Sequence, residues 1–203
     1  MKKSVIIFIL IITGCYSKEK NISMNKNQIS HQVNFDTIQF TSGFDFPAGK
    51  PDAVGYYNAQ EFAENDHLGE DWNGVRGGNT DLGDPIYSIA HGYVSFAKNI
   101  GGGWGNVIRI THYINPNRKV ESLYAHCNEI FVDEGEFVHK GIQIGTIGSN
   151  NDMYLAHLHF EIRDNLDLPI GGGYSSSTSG YINPTEFITV SYTHLTLPTT
   201  PYV

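Results

Sequence analysis

Cysteine is scarce in this chain. Cys15 and Cys127 are the only two among 203 residues, so no disulfide framework is expected. Positive charge is also short, with 13 Lys and Arg against 21 Asp and Glu and a formal net charge of -8. No basic stripe offsets that balance, which argues against a nucleic-acid partner. Helix-period apolar patterns are nearly absent. Long apolar runs are missing too; the longest, Val5 to Ile12, is too short to span a bilayer with ease. What is present points one way. The apolar content of 40% excludes a disordered chain, and the length suits one domain plus appendages. The 22 glycines interrupt aromatic and β-branched runs, the pattern of short strands joined by turns.

The two ends read as something other than fold. Lys2 and Lys3 precede the short apolar run, which is a signal-peptide pattern. The run closes in Ile12-Thr13-Gly14-Cys15, which resembles the lipobox of bacterial lipoproteins. That resemblance implies a signal peptide over 1–14, lipidation of Cys15 and a membrane contact through the lipid. Residues 15–34 are rich in Lys, Asn, Ser and Gln and are expected to form a flexible tether. At the other end, VSYTHLTLPT within 190–203 resembles the in-frame translation of a transposon adapter used in DNA sequencing libraries. That segment, His194 included, is set aside from functional reasoning. The folded domain is therefore expected over 35–189.

Inside that domain the strand signals are closely spaced. PIYSIA (85–90), GYVSFA (92–97), NVIRIT (106–111), VESLYAH (120–126), 135–138, 142–147 and LAHLHFEIR (155–163) alternate or run apolar between turns. A short helix is expected over Asn58 to Glu64, and a turn starting at Asn183-Pro184 near Phe187. The predicted fold is mainly β, an antiparallel sandwich or partly open barrel.

The chemistry sits in histidines. In His157-Leu158-His159 the period of two puts both imidazoles on one face, with Leu158 and Phe160 on the other. His67 and Asp71, in HLGED, are an even four apart, so an extended segment can present both on one side. His126, in LYAHC, lies on a separate strand. A catalytic zinc site needs three N or O donors and an open position for water. Four histidines and one aspartate supply such a set with two histidines over, for proton transfer or oxyanion stabilisation. Spacing alone does not rank them.

HLGED, LYAH and AHLHFEIR, in that order, resemble the motifs of the M23 family of zinc metallopeptidases, the lysostaphin-like or LytM-type group. The connecting stretches DPIYSIAHGYVSFA, GNVIRITH and GEFVHKGIQIGTIGS resemble the family as well, so the likeness runs from about Phe44 to Phe187. It implies His67, Asp71 and His159 as ligands of one zinc ion, and His126 and His157 as a catalytic pair. It also implies a β-rich core of the duplicated hybrid motif type, and hydrolysis of peptide bonds in bacterial peptidoglycan. The expected location is the cell envelope, lipid-anchored, at the periplasm or the outer membrane if the host has one. The alternative is a non-catalytic relative that binds the wall or activates amidases.

Other residues carry blander expectations. Cys127 adjoins His126, and strand alternation is expected to turn it away from the site as a buried thiol. His91 and His139 are read as surface residues and His112 as a satisfied structural histidine. Glu161 shares a face with His159 and is either support for it or a solvated strand residue. Gly101 to Gly103 read as a hairpin loop. The segment from Trp72 to Asp84 is longer than in the family's shortest forms, and is read as a loop beside the cleft. Leu155-Ala156 replaces the usual Gly-Pro.

Overall fold

A computed structural model describes residues 38–196, with side chains to residue 191. The signal segment 1–14, Cys15, the tether 15–34 and the last residues of the tail lie outside the described residues. The strands are β1 (Tyr56–Gln60), β2 (Glu70–Gly74), β3 (Pro85–Tyr87), β4 (Gly92–Asn99), β5 (Asn106–Asn115) and β6 (Arg118–Cys127). They continue with β7 (Phe137–Val138), β8 (Gln143–Thr146), β9 (Leu158–Arg163) and β10 (Tyr181–Ile182), and one helix, α1 (Pro184–Thr196), closes the series. The main sheet is open and antiparallel, in the order β1-β2-β9-β6-β5-β4-β7, with β10 also on β9. A two-stranded sheet, β3 with β8, accompanies it. The mainly-β expectation is met.

Alternation along the strands makes the core. Trp72, Leu158, Phe160, Tyr124, Ile108 and Ile110 point from the main sheet to one side. There they meet Ile86, Ile89, Ile144 and Ile147 from the small sheet and its flanks, with Phe44 and Phe187. Phe160 sits in the middle, fully buried, paired to Glu70 and to Tyr124, whose ring lies 5.4 Å away. Phe160→Ala is expected to lower stability by about 3–5 kcal/mol through lost burial and a residual cavity. Urea denaturation of the metal-free protein checks this, since a bound ion would mask part of the loss.

The sequence expectation fails at 58–64. Residues 58–60 end β1, paired antiparallel to β2, 61–63 turn, and only a 3-10 turn over Glu64–Asp66 follows. Side chains of β1 alternate between half-buried and exposed, which is the period of a strand. Positive φ at Ala63, Asn65 and Asp66 then forbids a right-handed helix there. At the C-terminal end, Asn183 starts a true helix rather than a turn: its side chain accepts the N–H of Glu186 at 3.0 Å. Helix α1 runs through position 190 to Thr196, and its inward residues Phe187 and Ile188 precede the expected tail. Among the described residues no helix is long and apolar enough to cross a membrane.

Candidate metal centre

The face of the main sheet opposite the core carries the site. On β2 and β9 the register pairs Asp71 with His159 and Trp72 with Leu158. Trp72 and Leu158 are in the core, so Asp71 and His159 project together from the other face. His67 reaches them from just before β2. A bridge to Tyr174 and the bond from Leu68 N–H to Gly173 O (2.9 Å) hold that segment. Gly69 makes the approach possible. A Cβ there would lie 2.6 Å from the carbonyl oxygen of Phe160 and 3.0 Å from Cε1 of His159, so only glycine lets HLGED lie against β9.

Three donor atoms converge. His159 Nδ1 is 3.0 Å from Asp71 Oδ1 and 3.0 Å from His67 Nε2, and His67 Nε2 is 3.4 Å from Asp71 Oδ1. Tetrahedral zinc with bonds of about 2.0–2.1 Å places its ligand atoms about 3.3 Å apart. The two nitrogens and one oxygen therefore fit one zinc ion by spacing and by donor type. His67 adds a second sign. Its imidazole is completely buried, it aims Nε2 into the cluster, and its Nδ1 has no hydrogen-bond partner among the described residues. Burying an imidazole for a nitrogen-nitrogen contact and a long 3.4 Å contact to Asp71 is a poor exchange unless Nε2 gains a stronger partner.

The electrostatics of the metal-free cluster agree. Burial works against the charge of Asp71, but hydrogen bonds with His159 and His67 outweigh it and hold the carboxyl well below the usual range. Burial also opposes charge on His159, yet hydrogen bonds to Asp71 and Glu161 raise it to about 9. His126 behaves oppositely: burial, then the neighbouring His159 and His157, push it down to about 3.

His126 and His157 face each other across the cleft, with ring centroids 4.7 Å apart. His157 Nδ1 donates to Leu155 O at 2.8 Å, and His126 Nδ1 donates to Trp104 O at 3.2 Å. Each contact faces a carbonyl oxygen, so each Nδ1 carries the proton and each Nε2 is left free to exchange one. A β-bulge puts His126 here. Between the pairs Asn106–Cys127 and Ile108–Tyr124, β5 has one residue and β6 has two. His126 takes up the extra residue with φ 58°.

Asp71, His126, His157 and His159 thus line one cleft of about 450 Å³, and His67, completely buried, meets Asp71 and His159 from beneath it. Cys127 is buried in the core, and burial pushes its thiol up to about 12. Simple alternation does not produce that result. Without the bulge Cys127 would share the face of Ala125, which pairs with His159, and His126 would share the core face of Tyr124. His112 is buried and satisfied, between His91 O at 3.0 Å and Ser122 Oγ at 2.7 Å. His139 is exposed and His91 half-buried. The loop from Gly74 to Asp84 does not line the cleft, but Asn79 Oδ1 accepts the N–H of Ala156 at 2.8 Å. With Asn73, which donates to Ala156 O at 3.1 Å, it clamps the residue before His157.

The cleft also has walls that sequence reasoning did not single out: Trp104, Tyr154, Tyr174 and the Gly172-Gly173 backbone. Trp104 is carried by the loop after Gly101 to Gly103, the hairpin between β4 and β5, and its Nε1 donates to Gly171 O at 3.0 Å. Tyr154 follows three left-handed residues, Asn150 to Asp152.

Comparison with known proteins bears on this geometry. A sequence profile described as Peptidase family M23 matches residues 66–169. Two proteins named NlpD are similar: the lipoprotein NlpD of Yersinia enterocolitica, 42% identical over 40% of this chain and 78% of its own length, and the murein hydrolase activator NlpD of Salmonella dublin, 36% identical over 46% and 25%. The DD-carboxypeptidase/endopeptidase Mpg of Neisseria meningitidis is 39% identical over 41% of this chain and 18% of its own length. The chain therefore spans a quarter or less of the latter two relatives. Among solved structures, the SpoIIQ-SpoIIIAH pore-forming complex covers 72% of this chain and 91% of its own, at 19% identity and a TM-score of 0.52, a likeness of fold alone.

Proposed function

This chain belongs to peptidase family M23, and on that premise we propose that it is a zinc-dependent endopeptidase of the bacterial cell envelope that hydrolyses peptide bonds of peptidoglycan. The observation that carries the reading is the convergence of His67, Asp71 and His159 beside two further histidines in one cleft. His67 Nε2, Asp71 Oδ1 and His159 Nδ1 would hold the ion. Zinc so bound polarises a carbonyl and lowers the pKa of a bound water to about 7. His126 and His157 supply the proton traffic through Nε2. As water oxygen bonds to the scissile carbonyl carbon, one Nε2 accepts its proton, and the same proton passes to the departing amide nitrogen as the C–N bond breaks. The other, when protonated, stabilises the charge on the carbonyl oxygen. Trp104 and Tyr174 flank the cleft. The lipobox-like sequence at Cys15 and the lipoprotein relative in Yersinia support an envelope location with a lipid anchor.

The test is digestion of purified peptidoglycan by the purified protein, with products read by mass spectrometry. New amino termini at stem or cross-bridge peptide bonds are expected, with one zinc per chain, and a chelator should stop their appearance. Released sugars in place of new amino termini would sink the reading. The name of the Salmonella relative favours a second reading, a wall-binding activator of other hydrolases. A chain that takes up no zinc and cleaves nothing, yet stimulates an amidase, would establish that one instead.

A further inference from the structure

Beyond the cleft, two charged side chains on the same face of β9 are used by no step above. Glu161 and Arg163 are both completely buried. Arg163 Nε and Nη2 hold Glu161 Oε2 at 2.7 and 2.6 Å. Two more guanidinium donors go to Pro169 O and Ile170 O, each at 2.9 Å, and the ring of Tyr181 lies 4.9 Å from the guanidinium carbon. Arg163 is therefore fixed on every side, and it fixes Glu161 in turn. The other carboxylate oxygen, Oε1, lies 3.1 Å from His159 Nε2.

A carboxylate gripped by a guanidinium only accepts hydrogen bonds. His159 must then keep a proton on Nε2; the one on Nδ1, which faces Asp71 in the metal-free cluster, is the one given up when Nδ1 turns its lone pair to a zinc ion. We infer that Glu161, clamped by Arg163, is the positioning residue that sets the tautomer and orientation of His159 and thereby the zinc affinity of the cluster. This rests on the zinc reading above. The opposing reading is a buried ion pair that merely staples the 168–171 segment to the sheet. The fold contains a control for that. Arg109 and Glu121, on the same face, form a similar pair; Arg109 Nη2 reaches Leu168 O at 3.3 Å and Ser95 Oγ donates to Glu121 at 2.9 Å. That pair touches none of the three donors.

The experiment compares zinc affinity, by competition with a chromophoric chelator, in the parent chain, Glu161→Gln and Glu121→Gln. The amide of Glu161→Gln cannot point its NH2 at Arg163, so it turns that group to His159 and drives the proton onto Nδ1, the metal-facing atom. Zinc binding should weaken about 10–100-fold, the usual range for losing such a support, and the visible spectrum of the cobalt-substituted protein should shift. Glu121→Gln should leave both readouts unchanged even where thermal stability falls. Equal affinity in Glu161→Gln and the parent overturns the inference. A parent that takes up no zinc overturns the metal reading itself. Should Glu161→Gln not fold, 15N spectra of the zinc-loaded parent decide: His159 protonated at Nε2 supports the inference, and protonation at Nδ1 ends it.

Discussion

His159→Ala is expected to empty the metal site and to reduce peptide cleavage to background. His159 is the hub of the cluster: Nδ1 meets both Asp71 and His67, and Nε2 meets Glu161. Its truncation removes one of the three proposed ligand atoms outright. The affinity loss should therefore exceed the about 10–100-fold cost of an outer hydrogen bond alone. The fold should survive. The core face of β9, with Leu158 and Phe160, is untouched, and the loss of hydrogen-bonding partners for Asp71 and Glu161 costs about 1–3 kcal/mol each. Elemental analysis with circular dichroism checks both halves. A folded variant that still holds one zinc and still cleaves would remove His159 from the ligand set.

His126→Ala should show the opposite separation, losing turnover by about 10²- to 10⁴-fold while keeping one zinc per chain. His126 makes no hydrogen bond to any of the three donors; its ring centroid is 5.7 Å from that of His159, and its Nδ1 is held by Trp104 O. The left-handed backbone at this position complicates alanine, so His126→Asn, a residue that tolerates positive φ, is the companion variant. Both should behave alike in single-turnover cleavage. Zinc lost from both would assign His126 to the ion and not to proton transfer.

Much of the site was legible because its spacing is local. Leu158 and Phe160 against His157 and His159 is period-two alternation, and any strand over 158–163 produces it. The even interval in HLGED put His67 and Asp71 on one side as expected, although the chain bends at Leu68 and Gly69 between them and is strand only from Glu70. The 58–64 segment was misread because β1 is half-exposed and polar. Its strand character comes from pairing with β2, a partner that period counting within the segment does not reveal. The cleft walls were missed for a related reason. Trp104, Tyr154 and Tyr174 come from three separate loops, joined by contacts such as Trp104 Nε1 to Gly171 O and Asn150 Nδ2 to Gly102 O, at 2.8 Å.

His126 marks the boundary most clearly. The sequence by itself determined which residue types can hold zinc, which faces of β9 they occupy, and the family to which their order belongs, because alternation and motif order are properties of the chain. The resemblance had named His126, but only the tertiary structure shows how its side chain reaches them. Alternation along β6 would have sent it to the core beside Tyr124 and turned Cys127 to the cleft. The bulge against Val107 reverses both, and a bulge exists only between two paired strands. The same holds for Glu161: its alternatives, support or solvation, separate only when Arg163 closes over it and takes it out of water.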